Sequence, residues 1–430
     1  MKTTLIFNAI ALALVFTGCD KEDEPMLESS MFKVSIENVM DEKDFLSSGV
    51  FNTPVGSSEP GGAGPGNMYQ FSFEAGPGTK LSFATMYVTS NDLFYAPSGE
   101  GIELFNGSVA LSGDITTQLM LYDAGTEVNE EPGIGPNQPL NGGGGVGTTQ
   151  GGTVTEINMV TDGFTYPTVA ENIMVWVDND GATGFTVSIK NLEGSTTPIA
   201  PGTWVVHTAD NPLFEVGMAD LGSGLEGLAE DGDPSALAAH LDMNSGYVSP
   251  LAPGAWAVHA SGTTPIFTNN TSDMGEGLED LAENGDPSAL AASLMSKTGV
   301  SSSGAFNTPT GSAGPGALLP GNSYEFSFEA EEGDYLSFAT MLVHTNDLFF
   351  SPADMGIALF SGGTALSGDI TSKVKLYDAG TEVNELPGVG LHQPARLNGG
   401  TAEMGSVMVV NDVFTYPTVN SIVKITITPM

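Results

Sequence analysis

The sequence predicts an all-β protein built as two tandem antiparallel β-sandwiches, with a small α/β helical-hairpin insertion in the second. Three observations carry this. The chain repeats itself once at a shift of 255 residues, its apolar residues alternate over short stretches, and 56 glycines and 26 prolines punctuate those stretches. Short alternating runs bounded by Gly and Pro turns, with no helical period between them, are the signature of sandwiches and barrels. A length of 430 residues exceeds one ordinary core and leaves room for two or three domains.

Charge narrows the partners. Eleven basic residues stand against 52 acidic ones, a formal charge of −41. Nucleic acid is excluded as a partner, because phosphate binding needs a basic footprint. Cations, basic protein surfaces and saline surroundings remain compatible with it.

The chain opens on a targeting pattern. Lys2 supplies a positive start, Leu5 to Phe16 form an apolar run, and Thr17 and Gly18 put small residues ahead of Cys19. The run is too short for a stable bilayer-spanning helix. Cys19 is the only cysteine, so no intramolecular disulfide can form. Residues 1–18 therefore read as a signal peptide and 19–31 as an acidic tether.

The first copy is expected over 32–182 and the second over 183–430. Phe32-Lys-Val-Ser-Ile-Glu-Asn38 and Phe185-Thr-Val-Ser-Ile-Lys-Asn191 alternate with the period of a half-buried strand, and each is expected to open its own copy. From Phe51 to Pro139 the shift of 255 aligns the copies without a gap, matching Leu81-Ser-Phe-Ala-Thr-Met86 to Leu336-Ser-Phe-Ala-Thr-Met341. Strands are expected at Tyr69 to Glu74, Leu81 to Val88 and Gln118 to Tyr122, the first two as a hairpin. Strand-like closing segments follow Phe164-Thr-Tyr-Pro167 and Phe414-Thr-Tyr-Pro417. A period this long, present twice, is a duplication and not a solenoid.

The insertion, 198–300, is itself doubled. Trp204-Val-Val-His207 and Trp256-Ala-Val-His259 each precede an Ala/Leu-rich segment broken by Gly-Asp-Pro, at 232–234 and 285–287. Glycine stop, Asp cap and proline start predict two short helices meeting at a corner. Pro201 and Pro253 are expected to delimit the units.

The most polar, Gly-rich and closely duplicated stretch is Leu121 to Pro139, repeated as Leu376 to Pro394 with 15 of 19 positions identical. It carries Asp123 and Glu127 in one copy and Asp378 and Glu382 in the other. About thirty residues upstream, Asp92 and Asp347 recur in Ser-Asn-Asp-Leu and Thr-Asn-Asp-Leu. Three carboxylates converging on Gly-containing loops would repel without a cation, and calcium takes roughly six to eight oxygens from such loops. Asn91 and Asn346 are expected as turn formers. Asn129, Glu130, Asn384 and Glu385 extend the loop and offer further oxygens, whereas Glu74 and Glu329 are expected at the far end. Leu93-Phe94 and Leu348-Phe349-Phe350 are expected in the core, with a partner-facing loop tip as the alternative.

Tyr87-Val-Thr-Ser-Asn-Asp-Leu-Phe94, Asp123-Ala-Gly-Thr126, Leu-Ser-Phe-Ala-Thr-Met and the closing Tyr-Pro segments together resemble the spondin N-terminal domain, over 32–180 and 185–430. The resemblance implies a β-sandwich related to calcium-dependent lipid-binding domains, found in extracellular matrix and adhesion proteins and in exported bacterial relatives. It implies calcium as cofactor, held by Asp92, Asp123 and Glu127 and by Asp347, Asp378 and Glu382; family members often have Asp where this chain has Glu127 and Glu382. Val15-Phe-Thr-Gly-Cys19 resembles the lipobox of bacterial lipoproteins, and Asp20-Lys-Glu-Asp-Glu24 resembles the signal that sends some of them to the outer face of the outer membrane. Lipidation at Cys19 would then be the only membrane attachment.

Catalysis has little sequence support. His344 and His392 align with Thr89 and Asn137, so neither is shared, and His207 and His259 are expected to be structural. No Gly-x-Ser-x-Gly, His-Glu-x-x-His or Walker pattern occurs. The reading that follows is a surface-anchored, non-catalytic adhesion or recognition protein with a protein or glycan ligand. A glycan-binding or carbohydrate-processing protein using the loop carboxylates, and a structural coat or matrix protein, are the rivals.

Overall fold

The computed structural model describes residues 29–142 and 147–430. The expected signal peptide, Cys19 and nearly all of the expected tether lie outside the described residues. The chain folds as antiparallel sheets with few and short helices.

Each copy contributes one seven-stranded and one four-stranded sheet. In the first copy the larger sheet runs Thr155–Glu156, Leu119–Asp123, Leu93–Pro97, Lys80–Tyr87, Ile199–His207, Phe45–Phe51, with Ile102–Glu103 added on Lys80–Tyr87. The smaller one runs Met68–Glu74, Gly184–Asn191, Ile173–Asn179, Gly113–Asp114. Alternation along Met68–Glu74 and Gly184–Asn191 sends every second side chain inward. There Phe71 and Phe73 meet Trp204 of the larger sheet at ring separations of 5.6 and 5.3 Å. Phe51, Tyr69, Phe83, Val187 and Ile189 complete that shared core. The second copy reproduces it with Trp256 against Phe326 and Phe328.

Strand pairing corrects the expected order of the copies. Ser29–Asn38 pairs with Ser323–Glu331 and Val423–Pro429 of the second copy, not with the first. Phe32, Val34 and Ile36, all fully buried, sit in the second core. Gly184–Asn191, expected to open the second copy, fills the equivalent place in the first. The reason is local. Ile173–Asn179 turns directly into Gly184–Asn191 through a short loop closed by the Asp180 N–H donating to the Gly184 carbonyl at 3.0 Å. A hairpin of this kind closes at far lower entropic cost than a pairing across some 150 residues. Met68–Glu74 and Lys80–Tyr87, expected as a hairpin, instead lie in different sheets.

The doubled insertion is likewise shared out. Ile199–His207 is an interior strand of the first copy and Leu251–Ala260 of the second. The helices Leu225–Asp231 and Ser235–Met243 cover the outer face of the first large sheet, burying Leu225, Leu228, Leu237 and Leu241 against Ala84, Phe94 and Val205. Leu278–Asn284 and Ser288–Leu294 do the same in the second. The Gly-Asp-Pro corner forms as expected, with Gly232 in the left-handed region and the Asp233 carboxylate accepting from the Ser235 N–H at 3.0 Å. Pro201 and Pro253 do not delimit the units. They sit inside strands, where the register shifts between Ile199 and Gly202 and between Leu251 and Gly254, a placement proline tolerates because it donates no ladder hydrogen bond.

Candidate functional site

The duplicated loops meet at one end of each large sheet, beyond the ends of neighbouring inner strands. Asp92 ends the turn between Lys80–Tyr87 and Leu93–Pro97, and Asp123 is the last residue of the neighbouring Leu119–Asp123 strand. Adjacent antiparallel strands place the two acids side by side, since Leu93 pairs with Asp123. Both are buried.

Asp92 commits one carboxylate oxygen to the loop and Asp123 commits both. Asp92 Oδ2 accepts from the Thr126 N–H at 2.9 Å, the Glu127 N–H at 3.0 Å and the Thr126 hydroxyl at 3.2 Å. Asp123 Oδ1 accepts from the Gly125 N–H at 2.6 Å and its Oδ2 from Asn129 Nδ2 at 2.6 Å. Gly125 holds φ +71°, and a Cβ there would meet the Thr153 backbone at 2.7 Å, so only glycine permits the turn. Asp92 Oδ1 is buried with no hydrogen-bond partner. The second copy repeats this. Asp347 Oδ2 takes Thr381 N–H at 2.8 Å and Glu382 N–H at 3.1 Å, Asp378 takes Gly380 N–H and Asn384 Nδ2 at 2.7 Å each, and Asp347 Oδ1 is unpartnered.

Burial, and then the neighbouring Asp123, pushes the Asp92 carboxyl up to about 7. Burial and then Asp378 do the same to Asp347, also to about 7. Asp123 and Asp378 are raised chiefly by burial. A buried carboxylate without a counter-charge disfavours its ionised form; Asp92, Asp123 and Asp347 are buried and Asp378 is half-buried.

The three-carboxylate cluster expected from sequence does not form. Among the described residues no group of three His, Cys, Asp or Glu side chains is arranged to hold a metal ion. Glu127 is buried, but its oxygens accept from the Gly147 N–H at 2.5 Å and Asn91 Nδ2 at 3.2 Å, tying two loops together. Its counterpart Glu382 is also buried and lies against Gly400. Asn91 and Asn346 are more than turn formers, since their Oδ1 atoms accept from the Glu130 and Glu385 N–H groups at 3.1 and 3.0 Å. Glu130 is spent on Asn137, at 2.9 Å to N–H and 2.5 Å to Nδ2, and Glu385 on His392 at 2.7 Å. Glu74 accepts from the Thr183 hydroxyl in the small sheet, away from the pair.

Sequence reasoning missed Asp162 and Asp412. Each accepts from a tyrosine hydroxyl, Tyr166 at 2.5 Å and Tyr416 at 2.7 Å, and each raises the neighbouring Asp123 or Asp378 by its charge. The signal was present as Asp-x-Phe-Thr-Tyr-Pro, written at 162–167 and 412–417. Glu230 and Glu283, on the covering helices, lie against Thr126 and Thr381 and are raised by burial. Leu93, Phe94, Leu348, Phe349 and Phe350 are fully buried core residues and not loop tips. His207 and His259 are buried inside strands, each with Nε2 2.9 Å from a buried serine hydroxyl, Ser82 or Ser337, and burial lowers both pKa values.

The chain matches no protein-family model and no curated protein.

Proposed function

We propose that the protein is a surface-anchored bacterial lipoprotein carrying two calcium-binding spondin-type β-sandwich modules, used for adhesion or ligand recognition without catalysis. The observation that carries this is an aspartate pair with an unpartnered buried oxygen on Asp92 or Asp347, built with the same hydrogen bonds in both copies. An isolated buried carboxylate oxygen is costly, and a hard divalent cation is the partner that suits two carboxylates on Gly-containing loops. Asp92 and Asp123, and Asp347 and Asp378, would hold the ion, with loop carbonyls and water completing its shell. Glu127 and Glu382 brace the loop in this reading and are not ligands. The lipid anchor at Cys19 and the outer-membrane location rest on the resemblance of the N-terminal segment to a lipobox.

Two equal sites on one chain suit paired binding modules better than a single active centre. The test is a thermal melt of chain 19–430 against calcium, with magnesium and chelator arms. A ligand that binds only the folded state adds RT ln(1 + [L]/Kd), so the melting temperature rises with calcium and falls back with chelator. An unchanged melt at millimolar calcium removes the metal from the proposal.

A further inference from the structure

The two copies meet around a cavity of about 410 Å³ that neither contains alone. The first copy supplies Lys43, Phe45 and Pro77, and the second Tyr247, Pro320, Val389 and Arg396. The contact is close: a Cβ on Gly76 would stand 2.2 Å from the Val389 carbonyl oxygen and 2.8 Å from Arg396 Nε.

Arg396 is the only arginine in the chain, and the chain holds 52 acids. It is nevertheless half-buried at this junction with no carboxylate beside it. Its two terminal nitrogens donate to the carbonyls of Pro77, at 2.5 Å, and Gly388. Among the described residues it enters no ion pair, and neither does Lys43, whose Nζ donates to the Met243 carbonyl at 2.8 Å. Asp44, exposed, is the only acid on the wall. A guanidinium carries five donors in a planar fork, so three remain after the two carbonyls are served. A half-desolvated cation with only neutral partners lacks the compensation that buried charges ordinarily find.

We propose that this junction cavity binds a small organic anion, a monocarboxylate with an apolar body, whose head pairs with Arg396 and Lys43 and whose body lies on the Phe45, Tyr247, Val248 and Val389 wall. A mainly apolar cleft with a few convergent polar groups at a domain interface is the usual form of a small-molecule site. Arginine recognises carboxylates through two parallel hydrogen bonds. The charge selects the anion: elsewhere an overall charge of −41 repels one, whereas on this one wall Lys43 and Arg396 come together and neither enters an ion pair among the described residues. This site is independent of the aspartate pairs.

Calorimetric titration of the full chain with octanoate, and with octanamide as its uncharged counterpart, tests the proposal. Octanoate is expected to bind once per chain, and octanamide at least tenfold more weakly, since a charge-assisted pair is lost. Arg396→Met should weaken octanoate tenfold or more while leaving the octanamide affinity within about twofold. Because Arg396 also bridges the copies and that variant could lose the fold, Val248→Trp, which fills the apolar wall, supplies a second arm and should abolish both titrations. No octanoate binding at 10 mM, equal binding of octanoate and octanamide, or an affinity unmoved by Val248→Trp would each overturn the proposal.

Discussion

Phe32→Ala distinguishes the observed pairing from the order in which the copies are written. Phe32 is fully buried, stacks on Phe328 at 5.6 Å and meets Phe360 edge-on at 5.5 Å. Removing a buried phenylalanine costs about 3–5 kcal/mol, transfer and cavity terms together. If the second copy opens as one cooperative unit, its slowest amides should exchange roughly two to three and a half orders of magnitude faster, at tenfold per 1.4 kcal/mol. The assay is hydrogen exchange read by mass spectrometry on peptides spanning Ser323–Glu331 and Val423–Pro429, with Met68–Glu74 and Ile173–Asn179 as the internal control. Phe185→Ala is the reciprocal: Phe185 stacks on Phe73 at 5.6 Å and touches Phe105 at 5.4 Å, all in the first core. It should loosen Met68–Glu74 and Ile173–Asn179 and spare the second copy. Loss of protection in the first copy after Phe32→Ala, with the second untouched, refutes the crossed pairing.

Three further outcomes follow from the aspartate pairs. In chelator, Asp92 and Asp347 have folded pKa values near 7, above the unfolded 3.8. The folded state therefore holds more protons between about pH 4 and pH 7, and stability falls as pH rises through that window, by on the order of 4 kcal/mol per site. Denaturant midpoints that stay level from pH 4.5 to 7.5 without calcium would contradict this. Asp347→Asn should stabilise the chelated protein at pH 8 by about 2 kcal/mol and cut the calcium stoichiometry from two to one, read by calorimetry; an unaltered stoichiometry excludes Asp347 as a ligand. Gly125→Ala should cost more than about 2 kcal/mol, combining a left-handed φ of +71° with a 2.7 Å approach to Thr153, and a chemical melt within 0.5 kcal/mol of the parent would show that the loop tolerates a side chain.

Much of the site was legible because duplication writes it twice. Asp92, Asp123 and Gly125 stand out as a repeated loop, and the spacing of Leu93 and Asp123 on adjacent strands brings the two acids together. Where the Glu127 side chain turns was not legible, because its place in the motif does not direct a three-bond side chain; the Gly147 amide and Asn91 decide that. The orphaned Asp92 oxygen was invisible, since a missing partner is a property of packing and not of spacing.

By itself, the sequence determined the strand content, the duplication, the two helical corners and the residues that turn inward. These are set by alternation, by Gly and Pro, and by capping residues acting within a few positions of one another. Only the tertiary structure decided which copy owns Ser29–Asn38 and which owns Ile199–His207, because Phe32-x-Val-x-Ile36 and Phe185-x-Val-x-Ile189 present the same face to either core. Strands with the same inward face are interchangeable to local chemistry, and the choice passes to chain connectivity. The short loop after Asn179 captures Gly184–Asn191 for the first copy, leaving the second to be closed by the strand nearest the N-terminus.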